Sequence, residues 1–167
     1  MEKANTFNFE EKALLKDCIV HELGHYIVTS KIIGADIVER IQVYITPSRF
    51  GGLIKLNPFC YIEDEEKLCL LYGGVVMENL CINKNIRLSY TDRERLSELT
   101  KDYNQRRKAR ARVKKMLEPY KDFVVELAER YINDADITQR QDEDITMWID
   151  GKQLEKDLST FENTTQE

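Results

Sequence analysis

The residues best suited to chemistry are two histidines four positions apart, with a glutamate directly after the first. They lie in His21-Glu22-Leu23-Gly24-His25, and the chain contains no other histidine. In a helix, residues four apart lie one turn apart on the same face, so both imidazoles can bind one metal ion. Glu22 can then accept a proton from water that a zinc ion makes more acidic. The pattern predicts a catalytic zinc site; the alternative is a buried helix with two hydrogen-bonded histidines.

A catalytic zinc ion usually has three protein ligands, so the two histidines need one more. No histidine remains, and we therefore expect a carboxylate or, as the less favoured choice, a cysteine. Glu78 in the second predicted helix and Asp92 in the first turn of the third are both well placed. Spacing alone does not distinguish between them.

The segments that must position these residues predict a mainly α (α+β) fold. Asn8 and Glu11 have the spacing of a capping box, which predicts that the first helix begins near Phe9. Residues 37–45 and 53–56 predict two short strands after that helix. The glycines before the second strand allow another backbone to approach, which indicates either a bound peptide or a plain hairpin turn.

The middle of the chain is predicted to be helical and becomes strongly charged. Residues 63–81 predict a second helix, in which Gly73-Gly74 indicates close packing against a neighbour. Thr91 and Glu94 have the spacing of a capping box that opens a third helix. In that helix, seven of the ten residues from Arg106 to Lys115 are basic. A solvated helix face is the favoured interpretation, and a surface for nucleic acid or an acidic partner is the alternative.

Length and composition favour a single domain, because 167 residues of which 42% are hydrophobic can bury a core. We expect this domain to span residues 1–150, with no periodic pattern after residue 133, although Ile145 to Ile149 are expected to dock on the core. Residues 151–167 are expected to be a tail, either a short helix or disordered. The four cysteines include no Cys-x-x-Cys pair, which predicts reduced thiols. No apolar run approaches the ~18 residues of a membrane span. We therefore expect a cytoplasmic protein with no membrane partner.

The order of these motifs resembles the peptidase domain of FtsH-type ATP-dependent zinc proteases. The resemblance lies in the His-Glu-x-Gly-His helix, the Gly51-Gly52 strand, the segment from Leu71 to Glu78, and an aspartate that opens a helix, Asp92. It implies a helical zincin-like domain with a small β-hairpin or sheet next to the zinc-binding helix. It also implies that a peptide is held against the strand from Leu53 to Leu56.

The resemblance implies a role for each site residue. The implied roles are zinc ligands at His21, His25 and Asp92, a general base at Glu22, a supporting carboxylate at Glu78, and substrate-binding residues at Gly52, Leu53, Ile54 and Lys55.

The sequence departs from the family in two ways. The family's Gly-Gly-Arg-Ala-Ala-Glu-Glu is replaced by Gly73-Gly74-Val75-Val76-Met77-Glu78-Asn79, and these 167 residues contain no Gly-x-x-x-x-Gly-Lys-[Ser/Thr] phosphate loop. We therefore expect a stand-alone zinc metalloendopeptidase that acts on peptides or unfolded proteins. An ATPase or adaptor partner in trans and a homo-oligomer are compatible with this interpretation. The alternative is a catalytically silent regulatory or binding module that uses Arg106 to Lys115, with nucleic acid the less favoured partner.

Overall fold

A computed structural model describes residues 7–58, 60–82 and 87–165 of the chain. The elements in chain order are α1 (Phe9–Ile32), β1 (Val38–Ile45), β2 (Phe50–Leu56), α2 (Asp64–Ile82), α3 (Tyr90–Leu99), α4 (Tyr103–Leu117), α5 (Lys121–Ile132), β3 (Thr138–Gln141), β4 (Asp144–Asp150) and α6 (Gly151–Thr164). Most of these residues are helical, and the strands form one small antiparallel sheet beside α1. The predicted mainly α (α+β) class is confirmed.

The central helix α1 begins where its capping box predicts. The Asn8 side chain accepts a hydrogen bond from the Glu11 amide at 2.8 Å, and the Glu11 carboxylate accepts one from the Asn8 amide at 2.9 Å. These two bonds satisfy amide groups that have no partner within the helix. The helix ends before Gly34, whose φ of 141° is a conformation that glycine adopts without strain. Between these ends, α1 contacts α2, α5 and the β1–β2 hairpin.

The four strands have the order β2-β1-β4-β3, and every neighbouring pair is antiparallel. Alternate residues of the two central strands are buried: Ile41, Val43, Ile45, Ile145, Met147 and Ile149. Strand β2 pairs with β1 alone, so its other edge is free within the described part of the chain. The strand β2 also contacts α1, the helix that carries the two histidines.

The C-terminal region contains more regular structure than the sequence predicted. The expectation of no periodic pattern after residue 133 is wrong, because β3 and β4 form there and β4 pairs with β1. The segment after residue 150 is the helix α6, which buries Leu154 and Leu158. A Cβ on Gly151 would collide with the carbonyl of Val38. The start of α6 therefore packs directly on the start of β1.

The predicted third helix is two helices. Helix α3 ends at Leu99, the backbone of Thr100 is extended, and α4 begins at Tyr103. Asp102 is the N-cap of α4, since its side chain accepts a hydrogen bond from the Asn104 amide at 2.8 Å. A local cap therefore starts a new helix where the sequence analysis predicted a continuous one.

Two further predictions concern the whole chain. All four cysteines are free, as predicted: Cys18, Cys60, Cys69 and Cys81. Among the described residues, no helix has the length and apolar character that crossing a membrane requires.

Candidate metal centre

The site is built where α1 and α2 cross at two glycines. A Cβ on Gly73 would lie 2.9 Å from the carbonyl oxygen of Gly24 and 2.9 Å from the Cα of His25. A side chain on Gly24 would collide with the Gly73 carbonyl. Only glycine at both positions allows the two backbones to touch, which confirms the predicted close packing of Gly73-Gly74 against the first helix. The crossing brings α2 against the histidine-bearing turn of α1.

Helix α2 fixes the orientation of His21. A Cβ on Gly74 would overlap the imidazole ring, so this glycine provides the space that the ring occupies. The Nδ1 atom of His21 forms a short hydrogen bond with the carboxylate of Glu78. A carboxylate accepts, so Nδ1 carries the proton and Nε2 keeps its lone pair.

The same helix orients His25 through its backbone. Nδ1 of His25 donates to the carbonyl oxygen of Leu70 at 2.6 Å, which again leaves the lone pair on Nε2. The two Nε2 atoms face each other at 3.0 Å. Two lone pairs at this distance repel unless a cation, either a proton or a metal ion, lies between them. The arrangement of the two rings therefore fits a metal ion.

Asp92 approaches the same point from α3. Its Oδ2 atom lies 4.0 Å from Nε2 of His21, and the ligand atoms of His21, His25 and Asp92 all lie within 4.8 Å of one another. For bonds of about 2.0 Å, the ligand atoms of a tetrahedral zinc site are about 3.3 Å apart. The cluster is close to that spacing, and three mixed nitrogen and oxygen ligands leave a fourth position open.

Ser89, which the sequence analysis missed, holds Asp92 in place. The predicted capping box of Thr91 and Glu94 is wrong, because Ser89 is the N-cap and α3 begins at Tyr90. The Ser89 hydroxyl accepts from the Asp92 amide at 3.1 Å and donates to Asp92 Oδ2 at 2.8 Å. The Ser-x-x-Asp spacing of a cap was present in the sequence, two residues before the Thr-x-x-Glu that predicted the capping box.

The two carboxylates considered for the third ligand have different positions. The carboxylate of Asp92 lies within 4.8 Å of the ligand atoms of both histidines, and Asp92 is 8% exposed. Glu78 contacts the opposite nitrogen of His21. Glu78 therefore orients a histidine, and Asp92 is the carboxylate that can reach a shared ion.

The surroundings shift the pKa values of the two histidines in opposite directions. Burial lowers the pKa of His21, but the Glu78 hydrogen bond and the charges of Glu22, Glu78 and Asp92 outweigh it and raise the pKa above its ordinary value. Burial and the neighbouring His21 lower the pKa of His25, and the positive charge of Arg95 acts in the same direction. A proton shared by the pair in the absence of a metal ion would therefore be held more strongly by His21 than by His25.

Glu22 is a buried carboxylate beside this pair, with 4% of its surface exposed. Burial raises its pKa to about 7; His21 opposes the rise, while Asp92 and Glu78 add to it. A Cβ on Gly52 would lie 2.7 Å from Glu22 Oε1. The glycine of β2 therefore leaves room for the carboxylate against the edge strand. A base with a pKa near neutrality is well matched to proton transfer at ordinary pH.

A cavity of about 900 Å³ extends from His21, His25 and Asp92 to the edge strand β2. Of the predicted substrate-binding residues, Gly52, Leu53 and Ile54 line it. Lys55 does not, and its ammonium pairs with Glu39 at 2.9 Å. Phe50 on the same strand also lines the cavity, and 58% of its surface is exposed.

The basic segment from Arg106 to Lys115 lies on α4, away from this cavity. Ala109, Val113 and Leu117 are buried, and α4 packs mainly against α2. The basic side chains are exposed, apart from Arg106, whose Nε donates to the Thr100 carbonyl at 3.1 Å. This arrangement agrees with the favoured interpretation, a solvated helix face.

The sequence was also compared with known proteins. No family model and no curated protein matches this chain.

Proposed function

We propose that this chain is a zinc-dependent metalloendopeptidase, similar to the peptidase domain of FtsH-type proteases. The observation that carries the proposal is the pair of Nε2 atoms facing each other at 3.0 Å with Asp92 beside them. Each histidine has its other nitrogen engaged by an acceptor on α2, which is the arrangement of zinc-binding histidines with supporting acceptors. Glu22 is the general base.

The proposed mechanism assigns a task to each side chain. When bound, a zinc ion would polarise the scissile carbonyl and make water more acidic. Glu22 takes the proton from the attacking water and later delivers it to the leaving amine. Its burial beside Gly52 keeps the carboxylate desolvated until a substrate arrives. Glu78 and the Leu70 carbonyl keep both imidazoles in the required tautomer.

The substrate is proposed to be a peptide or an unfolded protein segment. The edge strand β2 adjoins Glu22 at Gly52, and its outer edge pairs with no other strand in the described part of the chain. An extended chain can pair with such an edge. A folded protein has few strands free to do so. These 167 residues contain no phosphate loop of the Gly-x-x-x-x-Gly-Lys-[Ser/Thr] type, so an ATPase that unfolds substrates would lie outside them.

The test combines zinc content with cleavage of casein, which is largely unfolded. Wild type should bind one zinc ion per chain and cleave casein, while Glu22→Gln should bind the same zinc and lose cleavage by at least 100-fold. Glu10→Gln is the matched control, because Glu10 lies exposed in the first turn of α1. A chain that binds no zinc after zinc is supplied contradicts the metal centre. A chain that binds zinc but cleaves nothing is a silent binding module instead.

A further inference from the structure

We propose that Arg95 recognises a carboxylate group of the peptide substrate beside the metal centre. This inference rests on the proposed peptidase function and adds a specificity determinant to it. The carboxylate belongs either to an acidic side chain or to the C-terminus of the peptide.

Arg95 is placed for this role by α3. It follows Asp92 by three residues, so the two side chains lie one turn apart on the same side of the helix. Both residues line the cavity that also contains His21, His25 and Glu22. A group bound by Arg95 therefore lies in the same cavity as the residues that would cleave the peptide.

The cavity contains two cationic side chains, and only one of them is uncommitted in the described residues. Lys67 pairs with Asp64 at 3.0 Å. Arg95 forms no ion pair or hydrogen bond with any described residue, although Glu98 lines the same cavity one turn later. A guanidinium in a cleft, without a protein partner, is available to a ligand.

Most of the acidic groups around Arg95 already have tasks. Glu78 is bound to His21, and Asp92 and Glu22 adjoin the metal cluster. These acids are directed at the histidines, so the Arg95 guanidinium is left to interact with a negative group of a ligand. A guanidinium binds a carboxylate through two parallel hydrogen bonds, a geometry that an amide of the same shape cannot match in strength.

A peptide paired with the edge strand β2 would present such a carboxylate to Arg95. A peptide paired with the free edge of β2 directs alternate side chains into the cavity. Its side chain or its C-terminus then reaches the wall that α3 forms. Hydrogen bonds to charged groups are strong enough to change affinity about 10- to 100-fold.

The experiment uses one apolar decapeptide with a single Glu, Gln or Lys placed at successive positions, each with a free or an amidated C-terminus. The kcat/KM for each peptide is measured with zinc-loaded wild type, Arg95→Gln and Arg93→Gln. Binding of the same fluorescently labelled peptides is measured with zinc-loaded Glu22→Gln, with and without Arg95→Gln. Arg93 is the matched control, because it is exposed on the same helix and does not line the cavity.

We expect wild type and Arg93→Gln to prefer the Glu peptide over the Gln peptide at one position, or the free over the amidated C-terminus, by about tenfold or more. Arg95→Gln should lose this preference and keep its rate with the neutral, amidated peptide within a few-fold. Cleavage without a preference, or a preference that survives in Arg95→Gln, overturns the role of Arg95 alone. Carboxylate-dependent binding without any cleavage overturns the peptidase function and leaves the role of Arg95 standing. Neither binding nor cleavage overturns both.

Discussion

The Glu22→Gln substitution should stabilise the metal-free protein, although it removes the proposed general base. Glu22 is 4% exposed, and burial is the main reason that its pKa rises from 4.5 to about 7. Each unit of pKa corresponds to about 1.4 kcal/mol. The ionised carboxylate therefore destabilises the folded metal-free chain by roughly 3 kcal/mol, and glutamine has nearly the same shape without the charge.

The pH dependence has a definite sign. Because the folded-state pKa of Glu22 is raised, its carboxyl group does not destabilise the folded protein below the unfolded value of 4.5, where it is protonated in both states. The destabilisation grows as the pH rises above 4.5 and is complete once the pH has passed through about 7. The advantage of Glu22→Gln over wild type should thus be roughly 3 kcal/mol at pH 8 and about 1 kcal/mol or less at pH 5. It should grow between these values.

Urea denaturation in the presence of a chelator measures this difference at each pH. The dependence of the unfolding free energy on urea concentration is compared between the variants. The exposed control Glu10→Gln should stay within about 0.5 kcal/mol of wild type at every pH. A Glu22→Gln protein that is less stable than wild type at pH 8 would refute the argument. An advantage that does not change with pH would show that packing, and not charge burial, is responsible.

The remaining predictions concern zinc binding and the residues that arrange it. Asp92→Ala should lose most bound zinc and all cleavage, while Glu78→Ala should keep its zinc with an affinity lower by about 10- to 100-fold. Gly74→Ala places a methyl group against the His21 ring, so zinc affinity should fall, as measured by competition with a chromogenic chelator. Ser89→Ala removes the α3 cap and a hydrogen bond to Asp92, so thermal unfolding should show a loss of about 1 kcal/mol, with weaker zinc binding.

Each of these predictions has an outcome that contradicts it. If Glu78→Ala empties the site while Asp92→Ala leaves it full, the third ligand is Glu78. Unchanged zinc affinity in Gly74→Ala would mean that the His21 ring can move away without loss. Thr91→Ala is the matched control for Ser89, and equal effects of the two substitutions would contradict the cap assignment.

The part of the site that lies within one helix could be predicted from local sequence. The capping box at Asn8 and Glu11 fixes where α1 begins, and a spacing of four residues fixes a common face for His21 and His25. Both signals depend only on neighbours in the chain. The start of α3 could not be chosen in the same way, because Ser-x-x-Asp and Thr-x-x-Glu overlap and either can cap a helix. The packing that brings Asp92 to the histidines decides between them.

Signals that depend on distant residues were missed for a related reason. The alternation of Ile145, Met147 and Ile149 is visible in the sequence, yet a short charged strand gains its stability only from a partner. That partner is β1, about a hundred residues earlier. The cap at Asp102 was also present, but Leu96, Leu99 and Tyr103 fit one apolar stripe, and this pattern predicts a continuous helix. The roles of Leu70 and Gly74 follow from the helix crossing, which no local pattern specifies.

The position of β4 between β1 and β3 links the metal centre to the order of protein synthesis. Every residue that lines the cavity lies between Asp17 and Leu99, so a ribosome completes these residues before it reaches β4. The strand β1, however, has β4 as its second neighbour, and β4 follows at Asp144–Asp150. Until β4 emerges, β1 lacks one of its two hydrogen-bonded neighbours, and the hairpin that holds Gly52 against Glu22 lacks that support. A growing chain that has not reached β4 would therefore carry all the residues of the proposed site without the sheet that positions them, and the proposed activity would be withheld until β4 has been made.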